Sequence, residues 1–208
     1  MTTDTIEDIL NSANDAIQSE SYELAKSLYQ QVLNIDPSNW EALIYYSLSS
    51  NMNIPYSQCD NAISSVTKVL VNIPVNIKAN ENVPEVISFY CSDFCTLVSK
   101  FALHIYKLNT AEFDRIKLDR TYYSRLSPIA FLNNYLYPTT LKLSDMLFKF
   151  GDLIELNFAE QIDMKPVTNV WNTGNILLDI CVHNAGFFKK MEYKSKISNY
   201  KKKIKQYK

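Results

Sequence analysis

Apolar residues recur every three or four positions through most of this chain, which is the spacing of helices that bury one face. In the N-terminal third this pattern predicts helices over residues 4–19, 22–35, 39–51 and 56–71. The Asp36-Pro37 pair separates the second helix from the third, because the residue before a proline is pushed out of the helical region. Ser38 or Asn39 can then cap the helix that follows.

The second part of the chain also has a helical pattern. Residues 72–84 are rich in asparagine and proline, which predicts a loop and a domain boundary. The helices predicted beyond the loop cover residues 84–107, 111–136 with a kink near Pro128, 139–160, and Val167 to the end with a bend near Gly186. The chain is therefore predicted to be all-α, with one region over residues 4–71 and another over residues 84–208.

A repeat of 34 residues connects the first four predicted helices. Large, small and aromatic residues stand at Ile9, Ser12-Ala13, Ala16, Ala25, Tyr29 and Pro37, and a shift of 34 gives Leu43, Tyr46-Ser47, Ser50, Cys59, Ile63 and Val71. This spacing resembles the tetratricopeptide repeat (TPR), whose hairpins use small residues where two helices approach. The resemblance implies two TPR-like helical hairpins. A C-terminal helical bundle, ending in a long basic amphipathic helix, is then expected to pack on their open edge.

Two further segments, residues 38–50 and 192–208, resemble in amino-acid sequence uncharacterised tetratricopeptide proteins of Gram-positive bacteria. That resemblance implies no known reaction. The zinc ribbon that some of those proteins carry at the N-terminus has no counterpart in this sequence. The expected role is therefore that of a non-catalytic adaptor or scaffold.

Charge is distributed unevenly along the 208 residues, although the net charge is only −1. Residues 1–52 hold eight acids and a single base, Lys26, whereas residues 189–208 hold nine lysines and a single acid, Glu192. The first residues are acidic where a signal peptide needs bases, and no apolar run approaches a membrane span. With four scattered cysteines, these features predict a cytoplasmic protein.

The first helix of each predicted hairpin supplies a concave groove for a partner protein. The residues expected to line it are Glu7, Leu10, Asn14, Ile17, Gln18, Glu41, Ile44, Leu48 and Asn51. The lysines and arginines with which well-known tetratricopeptide domains hold acidic chaperone tails are missing from this set. Acids, amides and aliphatics favour a basic or amphipathic peptide instead. The alternative is that the C-terminal helices of the same chain fill the groove.

The basic tail offers a second candidate surface, for nucleic acid or another anionic surface. Its lysines are Lys189, Lys190, Lys194, Lys196, Lys201, Lys202, Lys203, Lys205 and Lys208. Between them, Tyr193, Ile197, Tyr200, Ile204 and Tyr207 alternate four and three apart, which is the seam of a heptad helix. The alternative is that this heptad seam packs on the body and leaves a solvated lysine face. Pairing of two copies through the seam, as a homodimer, is a third hypothesis.

Residues for catalysis or metal binding are few. Cys91 and Cys95 share a helix face, and Cys181, His183 and His104 could add ligands, but structural zinc sites usually combine two close cysteine pairs. The glycines are three and scattered, and neither a phosphate-binding glycine loop nor a protease or hydrolase motif occurs. We expect no metal, no cofactor and no enzymatic activity.

Overall fold

The structure, a computed structural model, describes residues 3–78, 83–118 and 127–207. Within these ranges the chain is helical throughout apart from short connections and contains no strand, which confirms the all-α prediction. The chain divides into two compact units, residues 1–81 and residues 82–208. Among the described helices, none combines the length and the apolar character needed to cross a membrane.

The first unit consists of four helices, each packed against the next in sequence. They are α1 (Thr3–Gln18), α2 (Tyr22–Ile35), α3 (Trp40–Ser50) and α4 (Cys59–Lys78), with a 3-10 turn at Tyr56–Gln58 before α4. The break at Asp36-Pro37 lies where the sequence predicts it. Asn39 caps α3, because its side-chain oxygen accepts a 2.9 Å hydrogen bond from the Ala42 amide.

Small and aromatic residues fill the interior of this unit. Ala13 of α1 and Ala25 of α2 are both fully buried, and a side chain that is only a methyl group allows two helices to approach closely. Tyr29 is also fully buried, and its ring stacks on that of Tyr45, with centroids 5.3 Å apart. Aromatic stacking therefore connects α2 to α3.

The loop predicted for residues 72–84 is wrong for its first seven residues, because α4 continues to Lys78 through Pro74. A proline inside a helix removes one backbone hydrogen bond and costs about 3 kcal/mol. Leu70, Ile73 and Ile77 are all buried, so the apolar stripe of α4 extends past the proline. Burial of this stripe outweighs the local cost. Residues 79–82 of the predicted loop lie outside the described residues.

The second unit is built around α8, which packs against α5, α7 and α9. Its elements are α5 (Val83–Leu118), α6 (Pro128–Phe131), a π-helical segment (Leu132–Leu136), α7 (Tyr137–Phe158), α8 (Lys165–Val182) and α9 (Phe187–Gln206). The basic tail of the sequence is therefore helical, as predicted, as far as Gln206 in α9.

Several predicted boundaries in this unit are wrong. The helices predicted over 84–107 and 111–136 are joined as far as Leu118, since Asn109 and Thr110 bond to the carbonyls of Ile105 and Lys107 and are accommodated within α5. Residues 119–126 lie outside the described residues. Pro128 begins a helix, which Ser127 caps. Near Gly186 the chain makes a turn that separates α8 from α9, where only a bend was predicted.

Glycine allows two close contacts in the core of the second unit. A Cβ atom on Gly151 of α7 would collide with Nε1 of Trp171 on α8. A Cβ atom on Gly174 of α8 would stand 2.9 Å from Cε1 of Phe148 on α7. Each helix thus presents a glycine to an aromatic ring of the other, and this brings Phe148 and Trp171 into position to contact α9.

Candidate functional site

The α1 part of the predicted groove lies on one helix face that reaches the surface. Glu7 and Gln18 are exposed, and Leu10, Asn14 and Ile17 are partly exposed. Their spacing of three and four residues places them in a single row along α1. We call these five residues the α1 face.

The α3 part of the predicted groove is not a surface. Ile44 and Leu48 are 2% and 1% exposed, and Glu41 is 6% exposed, so these three residues are not accessible to a partner in this structure. Asn51 is partly exposed, and its amide donates a 2.7 Å hydrogen bond to the Ser47 carbonyl. Because α3 is buried on most sides, its aliphatic residues belong to the core, and the prediction that they line an open groove needs this correction.

A chain of hydrogen bonds joins α1, α2 and α3 at the middle of the α1 face. The buried Tyr29 hydroxyl donates to Oδ1 of Asn14 at 2.6 Å, and Nδ2 of Asn14 donates to Oε1 of Glu41 at 3.3 Å. Both ends of the Asn14 amide are therefore held. A buried carboxylate needs such donors, since a buried charge without partners is costly.

The heptad seam of α9 packs on the body of the second unit. Ile197 and Ile204 are buried, and the ring of Tyr200 stacks on Phe148 with centroids 3.9 Å apart. Trp171 lies beside both Tyr200 and Tyr207, at about 6 Å. Tyr200 and Tyr207 are thus engaged with aromatic residues of the second unit.

Two of the tail lysines are engaged with acids of α7. Lys196 donates to Asp145 at 2.6 Å, and Lys203 donates to Asp152 at 2.7 Å and also contacts Glu155. The Lys203 ammonium lies 4.5 Å from the centroid of the Trp171 ring, within cation–π distance. Desolvation lowers the pKa of Lys203, but its hydrogen bonds to the two acids outweigh this effect and raise the pKa.

The seam hydroxyls bond to the same acids. Tyr200 donates to Asp152 at 2.6 Å and Tyr207 donates to Glu155 at 2.8 Å. Burial, and secondly the hydrogen bond to Asp152, raises the pKa of Tyr200 well above its usual value. The hydrogen bond to Glu155 likewise raises the pKa of Tyr207. Lysines and tyrosines of α9 therefore hold the helix in place together.

The other tail lysines lie away from this contact. Lys190 is partly exposed, and the exposed ones are Lys189, Lys194, Lys201, Lys202 and Lys205. Lys208 lies outside the described residues. Beside these lysines stand Phe187, Phe188 and Met191, which are 72%, 85% and 59% exposed. Sequence patterns missed these three residues, since apolar residues at the start of a helix ordinarily indicate a buried face.

The cysteines and histidines do not form a metal site in the described ranges, where no group of three or more suitable ligands comes together. All four cysteines are buried, and none of them forms a disulfide. The sulfurs of Cys91 and Cys95 lie 3.9 Å apart, and this contact lowers the pKa of Cys91 and raises that of Cys95. Burial, with a contribution from Asp145, raises the pKa of Cys181 to about 12, and a protonated thiol is a poor metal ligand.

A cleft of about 500 Å³ lies between α5 and α8. Ser99, Lys100, Asp163 and Lys165 are among the residues that line it. The Ser99 hydroxyl is a buried atom without a hydrogen-bond partner in the structure. Hydroxyls, two lysines and an acid are mixed in this lining, so its charge favours no single class of ligand.

The described residues thus define an all-α protein with two candidate interaction surfaces, the α1 face in the first unit and the exposed side of α9 in the second. Comparison with protein-family models, with curated proteins and with solved structures finds no match for this chain.

Proposed function

We propose that the first unit is a non-catalytic protein-binding module that takes a basic, amphipathic helical segment of another protein on the α1 face. Leu10 and Ile17 are the apolar anchors of this face. They are seven residues apart, about 10 Å along the helix, which is the anchor spacing of helix-in-groove recognition. Their partial exposure supports the proposal, because burying them against a partner removes apolar surface from water.

The observation that carries the proposal is the fixed position of Asn14 between these two anchors. Its amide is bonded to both the Tyr29 hydroxyl and the Glu41 carboxylate. A surface whose central side chain is already ordered loses less conformational entropy when a partner binds. This hydrogen-bonded centre distinguishes the α1 face from an ordinary solvated helix surface.

Charge supports a basic partner. Residues 1–52 hold eight acids against Lys26, and Glu7 stands exposed at one end of the α1 face. Complementary charge speeds association and excludes partners of the wrong sign. We retain the tetratricopeptide-like architecture as part of the proposal. The burial of Ala13, Ala25 and Tyr29 supports it, as these are positions where the repeat pattern needs close packing.

The test uses a synthetic helical peptide with a leucine stripe and a lysine-rich opposite face, labelled for fluorescence anisotropy. Ile17→Asp is expected to weaken binding at least about tenfold, because it replaces an apolar anchor by a charge. Leu24→Asp is the matched control, since Leu24 is 55% exposed on α2 and is not part of the α1 face. A peptide with glutamates in place of the lysines should not bind.

Equal losses for Ile17→Asp and Leu24→Asp, or no loss for either, would refute the proposal. The natural partner can then be sought by capture from a lysate of the source organism with wild-type protein, Ile17→Asp and Leu24→Asp in parallel, with and without nuclease. A partner retained by wild type and Leu24→Asp, lost with Ile17→Asp and insensitive to nuclease is the expected result.

The second hypothesis, binding of nucleic acid or an anionic surface through α9, concerns fewer lysines than the nine in the tail. Lys196 and Lys203 are engaged with Asp145 and Asp152, and a new phosphate partner would have to displace those contacts. The exposed lysines of α9 remain available to an anionic partner. The exposed apolar side chains beside them, Phe187, Phe188 and Met191, favour one kind of anionic partner over another.

A further inference from the structure

The side of α9 that does not contact the body carries a continuous stripe of exposed residues. Steps of three and four connect Phe187, Lys190, Met191, Lys194, Ser198, Lys201, Lys202 and Lys205. All of them are exposed except Lys190, which is partly exposed. We call this row the outer stripe. We call its first two apolar residues, Phe187 and Met191, together with the neighbouring Phe188, the apolar tip.

The apolar tip is unusual for a surface. Phe187 and Phe188 are 72% and 85% exposed, and their rings meet edge to face at 5.7 Å, so they form one apolar projection in the first turn of α9. Contiguous exposed apolar groups mark interaction sites, whereas single exposed ones need no explanation. The tip follows directly on the connection between α8 and α9, which ends at Gly186.

The lysines of the outer stripe have no competing acids of their own. Within the described residues no ion pair involves Lys194, Lys201, Lys202 or Lys205, and Glu192 is the single acid in the sequence of α9. The lysines that do pair with acids lie on the other side of the helix and fix its orientation. The outer stripe is consequently a row of positive charge on a helix of fixed orientation, with an apolar projection at its N-terminal end.

We propose that the outer stripe of α9 binds an anionic phospholipid surface, with the apolar tip entering the interface and the lysines contacting lipid phosphates. Stable binding at a membrane surface takes two signals, and an apolar insertion combined with a basic patch is one such combination. Lysines held near the membrane surface gain further attraction from the negative potential of an anionic leaflet. Both signals occur on the one helix.

The surroundings of the lysines favour lipid over nucleic acid. Binding of single strands requires aromatic rings spread along the basic groove, on which successive bases stack. Two of the three seam tyrosines are engaged, since Tyr200 stacks on Phe148 and Tyr207 bonds to Glu155, and the third, Tyr193, is only partly exposed and is not part of the outer stripe. The exposed aromatic rings are instead grouped with a methionine at one end. A second copy of the chain is disfavoured because two outer stripes would bring like charges together.

The test is co-sedimentation of the full-length protein with vesicles of phosphatidylcholine alone and of phosphatidylcholine mixed with phosphatidylserine. Binding is expected only with phosphatidylserine and should fall as salt rises. The triple change Lys194→Gln, Lys201→Gln and Lys205→Gln should weaken partitioning about fivefold for each lysine. The matched control removes the same charge elsewhere, by Lys68→Gln, Lys107→Gln and Lys149→Gln, at three exposed lysines.

The apolar tip has its own test. Phe187→Ser with Phe188→Ser should weaken vesicle binding at least about tenfold, while Leu156→Ser, at another exposed apolar residue, should leave it unchanged. In Phe188→Trp the new indole is exposed, whereas Trp40 and Trp171 are buried, so a blue shift of its emission on adding anionic vesicles reports insertion. Circular dichroism of every variant checks that the fold is kept.

Three results would overturn the proposal. The first is equal binding to both kinds of vesicle, or equal losses in the test and control variants. The second is binding of a single-stranded RNA oligonucleotide without binding of vesicles. The third is self-association, measured by sedimentation velocity, that Phe187→Ser with Phe188→Ser abolishes while vesicles are not bound. None of these results depends on the α1 face, so the proposed peptide binding is judged separately.

Discussion

The rings of Tyr200 and Phe148 lie nearly parallel, with an interplanar angle of 10° and centroids 3.9 Å apart. The same tyrosine donates its hydroxyl proton to Asp152. Phe148 is itself in place because Gly174 leaves room for its ring on α8. One residue of α9 is therefore held by an apolar contact and a polar contact to the same helix, α7.

Tyr200→Phe separates these two contacts, because phenylalanine keeps the ring and loses the hydroxyl. The free energy of unfolding should fall by about 1 to 2 kcal/mol, as expected for a hydrogen bond to a charged group. Urea denaturation measures the change. Tyr135→Phe is the control, since Tyr135 is 46% exposed and should tolerate the change within about 0.5 kcal/mol.

The same variant should change the response to alkaline pH. Because the folded protein raises the pKa of Tyr200, this group stabilises the fold fully below about pH 10, and the contribution is lost as pH rises beyond the unfolded value. Unfolding free energy measured above about pH 10 should decline less steeply in Tyr200→Phe than in wild type. Parallel pH curves for the two proteins would contradict the assignment.

Lys203→Gln and Lys202→Gln test the difference between the two sides of α9. Lys203 contacts two acids and the Trp171 ring, so its replacement should cost about 1 to 2 kcal/mol. Lys202 is exposed on the outer stripe, and its replacement should cost less than about 0.5 kcal/mol. Thermal unfolding at low and high salt makes the comparison. The two costs should approach each other as salt screens the ion pairs; equal costs at low salt would speak against the described contacts.

Gly151→Ala should be strongly destabilising, by about 1 to 3 kcal/mol, because the added methyl group would collide with the buried Trp171 ring. Gly186→Ala is the control: nothing lies within 4 Å of the added Cβ, and the backbone of Gly186, with φ −62° and ψ 160°, suits alanine. That change should alter stability by less than about 0.5 kcal/mol, because the gain from restricting the unfolded chain is offset by the poorer fit of alanine at the N-cap of α9. If both variants melt at the same temperature, the close approach of α7 and α8 at Gly151 is not needed for stability.

Asn14→Asp tests the hydrogen-bond chain of the first unit. It places a second carboxylate beside buried Glu41, and the expected loss is about 1 to 3 kcal/mol at neutral pH. Like charges raise the pKa of such a pair in the folded state, so the loss is present at neutral pH, shrinks as pH falls through the raised folded-state pKa, and is absent below about pH 4, where the acids are protonated in the unfolded chain too. Asn11→Asp adds the same charge to α1 at an exposed position and should show neither effect.

Sequence patterns located the elements that depend on local chemistry. The bounds of α2, the Asp36-Pro37 break and the cap at Asn39 follow from turn residues and apolar spacing within a few positions of one another. The heptad seam of α9 follows in the same way from the spacing of its apolar residues, and Ile197 and Ile204 of this seam are buried. In each case the deciding residues are neighbours in sequence.

Features that depend on distant residues could not be predicted. The sequence shows that Ile44 and Leu48 share a face of α3, but burial is decided by whatever packs there, and this is not a local property. Asp152 meets Lys203 across 51 positions, so no spacing rule finds the pair. The predicted loop at Pro74 was wrong because the free-energy cost of a proline in a helix is a local property, whereas the burial that offsets this cost depends on distant residues.

The contacts between α7 and α9 also determine alignment. Lys196, Tyr200 and Tyr207 meet Asp145, Asp152 and Glu155 in the same order along both helices, so the two run in parallel. Tyrosine recurs at 193, 200 and 207 and isoleucine at 197 and 204, so a slip of seven residues would offer almost the same apolar seam. Asp145 and Asp152 are also seven residues apart, as are Lys196 and Lys203, so this slip would still pair Lys203 with Asp145; the contacts with Glu155 would be lost, since seven residues before Glu155 stands Phe148. Glu155 is thus the acid that distinguishes the observed register of α9 from one shifted by seven residues.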